Sequence, residues 1–268
     1  MRRLCLEVYW RVAVKSFQKS LTYRAANLAG IATNMFFGVI YILIYQALYA
    51  GRGEVAGFTL ADTITYAIIA QSLLSAMSAF GNNDLSIAVA KGTIAVDLSR
   101  PVDFYLYWAA VDLGRAAYYV LFRSIPVYLL GALAFGVILP PSLIYWLLFA
   151  LAVAFGAVIS FAFRFITNSL AFWTSDARGA VQLANMLILF FSGFIVPLRF
   201  LPPGLRAFTE ALPFRGLAQL PIDVYLGKLS AAQMAAALAQ QAAWLVVLVL
   251  LGRWFLARMV RRIALAGG

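Results

Sequence analysis

Apolar runs alternate with short polar breaks along almost the whole chain. The first run predicts a helix over Leu28–Leu48, and Gly51, Arg52, Gly53 and Glu54 mark its exit. Thr59 and Asp62 supply capping chemistry for a second helix over Leu60–Phe80, interrupted by Gly81, Asn82, Asn83 and Asp84. Four more runs predict spans over Leu113–Phe135, Leu143–Phe165, Val181–Val196 and Ala235–Leu251, with Pro140 and Pro141 forming the turn between the first two of these. Several approach or exceed the roughly 20 residues that cross about 30 Å of hydrocarbon as helix. Small and polar positions in the second helix, among them Ala67, Ala70, Gln71, Ser72, Ser75 and Ala76, suit a helix packed against protein rather than lipid.

Three segments do not read as spans. In residues 1–26, Arg2, Arg3, Arg11, Lys15, Lys19 and Arg24 interleave with an imperfect stripe of Leu4, Leu6, Val8, Trp10, Val12, Val14, Phe17 and Leu21, the pattern of an amphipathic helix lying on an anionic membrane face. Residues 82–108 carry Lys91, Asp97, Arg100 and Asp103 between modest hydrophobic pairs, with Pro101 limiting helix continuity. Residues 197–228 keep large hydrophobics but are cut by Pro197, Pro202, Pro203, Pro213 and Pro221, which suits a helix that stops at Pro197 and hands over to a short re-entrant or interfacial hairpin. The fold class is therefore an all-α integral membrane protein of six transmembrane helices, with an N-terminal interfacial helix and that hairpin before the last span. The domain reading is 1–26, then 27–258 as the six-helix domain, then a basic tail over 259–268.

Composition strengthens the membrane reading: 64% of residues are hydrophobic and only 12% charged. The net charge of +11 would suggest nucleic acid in a soluble chain, but here its placement tracks the positive-inside tendency, so no nucleic-acid partner is expected. The N-terminal bases, Lys91, Arg100, Arg115, Arg164, Arg178 and the arginines 253, 258, 261 and 262 fall on one side of the six-span arrangement. Arg52, Arg199, Arg206, Arg215 and Lys228 fall on the other. Both termini are expected in the cytoplasm.

The same sequence excludes most chemistry. The chain has no histidine and a single cysteine, Cys5, so a serine–histidine triad and an intramolecular disulfide are ruled out. No phosphate-cradling Gly-rich loop ending in Lys-Ser/Thr occurs, and the aspartates are dispersed over helix ends and loops. No catalytic, cofactor-binding or metal site is expected in this chain. An ion-driven transporter commonly places acidic or polar residues at a midplane site, and no such pair is apparent. A pathway moved by an external motor fits this pattern.

Two stretches carry a family likeness. Phe190-Phe191-Ser192-Gly193-Phe194-Ile195-Val196-Pro197, continuing through Leu201-Pro202, Ala211-Leu212-Pro213-Phe214-Arg215 and Leu220-Pro221, resembles the fifth span and following hairpin of the permease subunits of type-2 ABC exporters, in the six-span bacterial branch of that ABC-2 family. Lys91-Gly92-Thr93-Ile94 with Leu98-Ser99-Arg100-Pro101 resembles the cytoplasmic segment after the second span. The resemblance implies a pair of permeases, of the same or related sequence, in the bacterial inner membrane and bound to two cytoplasmic ATP-binding subunits. ATP and Mg would belong to those partners, and the cargo would be hydrophobic or amphipathic.

On that resemblance Lys91, Gly92, Asp97, Arg100 and Pro101 are candidate coupling residues, against the alternative of a solvated positive loop. Ser75, Arg123, Ser192, Gly193 and Pro197 are candidate pathway or packing residues. For Ser192-Gly193 and Pro197, close packing and a structural stop are the competing reading; for Arg123, snorkelling or a structural ion pair. A membrane scaffold or assembly factor that recruits a cytoplasmic protein without transport is the alternative function.

Overall fold

The computed structural model describes residues 2–78, 83–174 and 178–266, with side-chain detail from Leu6 to Val260 apart from Ala90 and Arg178. Apart from one two-residue strand pair, the described regular structure is helical. The helices are α1 (Arg2–Leu21), α2 (Arg24–Leu48), α3 (Leu60–Ala76), α4 (Asp84–Ala90), α5 (Ile94–Leu98), α6 (Phe104–Tyr119), α7 (Ile125–Phe135), α8 (Leu143–Ser169), α9 (Arg178–Phe191), α10 (Pro203–Ala211), α11 (Gln219–Tyr225) and α12 (Ala231–Ala266). The strands β1 (Glu54–Val55) and β2 (Phe58–Thr59) form a small antiparallel hairpin between α2 and α3. Among the described residues, four helical stretches are long and apolar enough to cross a bilayer: Arg24–Leu48, Phe104–Phe135, Leu143–Phe172 and Ala231–Val260. Two shorter apolar helices, Leu60–Ala76 and Gly179–Phe191, accompany them. The protein is a multi-span helical membrane protein.

Helix boundaries differ from the apolar runs where polar chemistry intervenes. The third run begins at Leu113, yet its helix starts at Phe104 because Asp103 accepts the Leu106 N–H as an N-cap. The helix then passes Pro126 through a π-helical turn at Val120–Ser124. Proline cannot donate to the carbonyl four residues back, that of Phe122, and the Asn27 side chain donates to that oxygen instead at 2.7 Å. The last run ends near Leu251, but its helix continues through the expected tail to Ala266. The Gly81–Asn82 break after the second run, and Ser175 and Asp176 at the inner end of the fourth, lie outside the described residues.

α3 is the centre of the bundle. From Thr65 to Ala76 each of its residues is buried, so the small and polar positions read as packing surface do pack. The main core joins Tyr66, Ile69, Leu73 and Met77 to Ile159 of α8, Ile188 of α9, Leu248 of α12, and Phe214, Leu217, Ile222 and Tyr225 of the proline-cut segment. Thr59 and Asp62 close a reciprocal capping box at its start, and the carbonyl of Met77 just past its end accepts from Ser160. Polar side chains join α3 to its neighbours elsewhere: Asn34 donates to the Gln71 carbonyl at 2.9 Å, and Ser124 to that of Ser72.

The segment after α9 is folded into the bundle. α9 stops at Phe191, short of the expected end at Val196 and stop at Pro197, because Gly193 adopts a left-handed φ of +92° that leaves the helix before the proline is reached. The C-terminal end of α10 meets the N-terminal half of α12, where Gln240 and Trp244 donate to the carbonyls of Glu210 and Ala211. Phe214 packs edge-on to Phe163 of α8 at 4.8 Å. The Gly216 carbonyl lies against Gly156, where a Cβ would come within 2.7 Å of it. α11, buried throughout, then returns the chain to Lys228, which pairs with Asp62 at the start of α3 at 2.6 Å.

Gln241 holds this arrangement, its Nε2 donating to both Ala152 and Gly216 carbonyls at 2.8 Å. Gln241→Leu removes the donor from two buried acceptors and should cost about 2 kcal/mol. A lowered melting temperature of the detergent-purified protein checks this; an unchanged one would contradict it.

Candidate functional site

The residues expected to couple the chain to a partner surround two short helices, α4 and α5: Lys91 and Gly92 lie in the turn between them, Asp97 on α5, and Arg100 and Pro101 just past it. Lys91 closes α4, and Gly92 takes a left-handed φ of +70° that an L side chain rarely adopts. Both are exposed, as are Arg100 and Pro101. Asp97 pairs with Arg100 at 3.1 Å, and the Arg100 guanidinium lies 4.8 Å above the Tyr107 ring, which fixes the end of α5 onto α6. On the inward side, Leu85 and Ile94 enter a second core with Phe104, Tyr105, Phe161, Phe165 and Met259. The two helices therefore grip α6, α8 and α12 with one face and leave Lys91, Gly92, Ile87 and Val96 outward.

Buried charge fastens the same region. Asp112 of α6 accepts from both terminal nitrogens of Arg164 of α8, at 3.0 and 2.8 Å, and also pairs with Arg115. Arg115 in turn reaches Asp84 at the start of α4, at 3.1 Å. Arg164 and Asp112 side chains are 4% and 6% exposed, so neither ion is matched by water. Asn168, one turn further along α8, accepts from the Ser86 N–H. This chain of contacts joins α4, α6 and α8. Sequence reading placed Arg115 and Arg164 on the inner side but did not pair them. The available signal was Asp112 three residues before Arg115, together with a lone arginine inside the apolar run around Arg164.

The structure brings Ser75 and Arg123 together. Arg123 Nη1 donates to Ser75 Oγ at 3.0 Å, Nε to Asn27 Oδ1 at 3.0 Å, and Nη2 to the Ala26 carbonyl at 3.3 Å. Its guanidinium lies 4.8 Å over the Tyr119 ring and occupies the space that a Cβ on Gly30 would need. Arg123 is thus a polar junction of α2, α3 and the π turn, with neutral acceptors in place of an ion pair among the described residues.

Ser192, Gly193 and Pro197 form a second junction, far from the first. The Gly193 carbonyl accepts from Tyr66 Oη at 2.7 Å, and a Cβ there would overlap that hydroxyl. The Ser192 carbonyl accepts from the Gln219 N–H at 2.9 Å, and the Leu198 N–H, just after Pro197, donates to Gln219 Oε1 at 2.7 Å. Gln219 Nε2 reaches Asp223, which pairs with Arg199 at 3.2 Å. Gln219 and Asp223 were missed by sequence reading, since a glutamine between prolines carries no distance information. Among the described residues, no group of three His, Cys, Asp or Glu side chains could hold a metal ion.

Asp112→Asn leaves Arg164 without its buried counter-charge and should destabilise the protein by about 3–5 kcal/mol, whereas Asp84→Asn, at a half-exposed carboxylate, should cost less than about 1 kcal/mol. Thermal unfolding of both variants in detergent checks the order; equal losses would refute the burial argument.

Comparison with known proteins completes the picture. No curated protein matches the chain. The family described as ABC-2 family transporter protein matches residues 35–267, which takes in every element from within α2 onward and leaves α1 ahead of the match. The chain belongs to that ABC-2 family and is a non-catalytic, membrane-spanning permease subunit of an ABC-type transporter.

Proposed function

We propose that this permease works in an ATP-driven exporter of a hydrophobic or amphipathic cargo, with force entering at α4–α5 from two cytoplasmic ATP-binding subunits. A second permease chain, of the same or related sequence, completes the assembly. The observation that carries this reading is the two-faced docking of α4–α5: one face is held on α6, α8 and α12, and Lys91, Gly92, Ile87 and Val96 are left outward. A load applied to that outer face acts directly on the Asp84–Arg115–Asp112–Arg164 chain.

In this reading α3 and α9 join the four long helices as six crossings, and α10–α11 is a re-entrant hairpin. The contacts of Glu210, Ala211 and Gly216 with the middle of α8 and the N-terminal half of α12, and the return of Lys228 to Asp62, support a segment that dips in and comes back. Six crossings put both termini on one side, and the basic ends of the chain favour the cytoplasmic side of a bacterial inner membrane. A cavity of about 580 Å³ lined by Leu73, Val120, Tyr128, Phe149, Val153 and Tyr225 supports an apolar cargo. It touches both the π turn and the hairpin, two places where helical regularity is already interrupted.

Mild-detergent purification followed by intact-complex mass measurement should recover two ATP-binding subunits with two permeases. Val96→Asp, on the exposed face of α5, should abolish that recovery while leaving the melting temperature of the permease alone within about 1–2 °C, as expected for a surface change. A stable assembly lacking any ATP-binding protein, in detergent and in nanodiscs, would overturn the transporter mechanism in favour of a scaffold.

A further inference from the structure

Between α1 and α6 lies a cavity of about 750 Å³ whose lysines the transport reading leaves unused. Six cations line it, Arg11, Lys15, Lys19, Arg100, Arg115 and Arg123, against one carboxylate, Asp84. Arg11 is matched by Glu7, Arg100 by Asp97, and Arg115 by Asp84 and Asp112. Among the described residues, no carboxylate forms an ion pair with Lys15, Lys19 or Arg123. Lys15 and Lys19 stand one turn apart on the same helix, a spacing at which like charges repel. An anion set between them turns that repulsion into attraction, and Tyr23, Tyr107 and Tyr119, which also line the cavity, carry hydroxyls able to donate to its oxygens.

A second groove, of about 740 Å³, adjoins the first and shares Asn27 and Tyr118 with it. Its lining is mainly apolar, with Leu28, Ile31, Phe122, Leu129 and Leu130 and a single cation, Arg24. Leu28, Phe122, Leu129 and Leu130 are among the exposed large hydrophobic residues. From Tyr118 to Leu130 the helix rises about 18 Å, comparable to one leaflet of a hydrocarbon core about 30 Å thick. Cations at one end and a leaflet-length apolar groove at the other match an amphiphile with an anionic head. A free anion would use only the first half of this surface.

We propose that the paired cavities form a binding site for an anionic phospholipid, its phosphate among Lys15, Lys19 and Arg123 and an acyl chain along Leu28, Phe122 and Leu129. The occupant comes from the leaflet on which α1 lies, which in the orientation above is the anionic cytoplasmic one. The lipid ties α1 to the helix carrying Arg115 and Arg123, so it bears on the Arg123 junction and on the Asp84–Arg115–Asp112–Arg164 chain. This site needs no ATP-binding partner, so its failure and the failure of the transport reading are separate outcomes.

The full-length protein in neutral detergent, titrated with fluorescent dioleoyl phosphatidylglycerol, tests the site. Unlabelled phosphatidylglycerol should displace the probe, while dioleoyl phosphatidylcholine and millimolar inorganic phosphate should displace it poorly. Lys15→Ala with Lys19→Ala, both exposed and so neutral for folding, should weaken binding about 30-fold, each lysine near an anionic surface giving roughly fivefold. Leu28→Ser with Leu129→Ser should weaken the lipid several-fold through the groove alone. Equal displacement by phosphatidylcholine, or unchanged affinity in the lysine double variant, would overturn the proposal. Displacement by inorganic phosphate as strong as by the lipid, with no effect of the groove variants, would overturn the lipid assignment in favour of a free anion.

Discussion

Hydrocarbon offers no partner to a backbone carbonyl or a guanidinium, and this chain meets that constraint chiefly around α3. The helix is surrounded by protein over most of its length, so every polar group it carries must be answered by a neighbour. Asn34, Arg123, Ser124 and Ser160 do so from α2, the π turn and α8. Each such bond contributes only about 0.6–2 kcal/mol in a membrane. Leaving its members unmatched costs more, and that asymmetry sets the order of the helices around α3.

The same constraint accounts for the irregular elements. Pro126 frees a carbonyl, and the π turn with Asn27 absorbs it; Asn27 then has an oxygen left for Arg123. A proline defect and an otherwise costly arginine are thus resolved by one asparagine. At the opposite end Gly193 gives the backbone a left-handed turn, and Gln219 collects the groups exposed where α9 stops. Both places combine a break in helical hydrogen bonding with a polar side chain that completes it, and both border the apolar cavity or the hairpin that follows.

Much of this architecture was legible beforehand. The apolar runs located the four long helices and the two short ones, because burial in lipid requires continuous hydrophobicity that no loop can imitate. The Thr59–Asp62 cap and the packed face of α3 were also readable, since each depends on residues close in sequence; the stop expected at Pro197 was not, because α9 already ends at Phe191, where Gly193 turns the backbone left-handed ahead of the proline. Ser75 and Arg123 were both singled out, yet nothing in a linear chain said that they meet. The start at Phe104 was hidden because an aspartate ahead of an aromatic stretch reads equally as loop or N-cap until the Leu106 N–H is seen to reach it.

By itself, the sequence determined that the chain lives in a membrane as several helices, that it carries no nucleotide or metal chemistry recognisable in its motifs, and where its polar interruptions fall. Those properties follow from local composition and spacing. Only the tertiary structure decided which charges pair across helices, as Asp112 does with Arg164, and that the proline-cut segment folds back against the middle of α8 and the N-terminal half of α12. Both are choices of partner between residues far apart in the chain, and hydrophobic periodicity, which records only whether a position faces oil or something else, holds no information about which something else it will be.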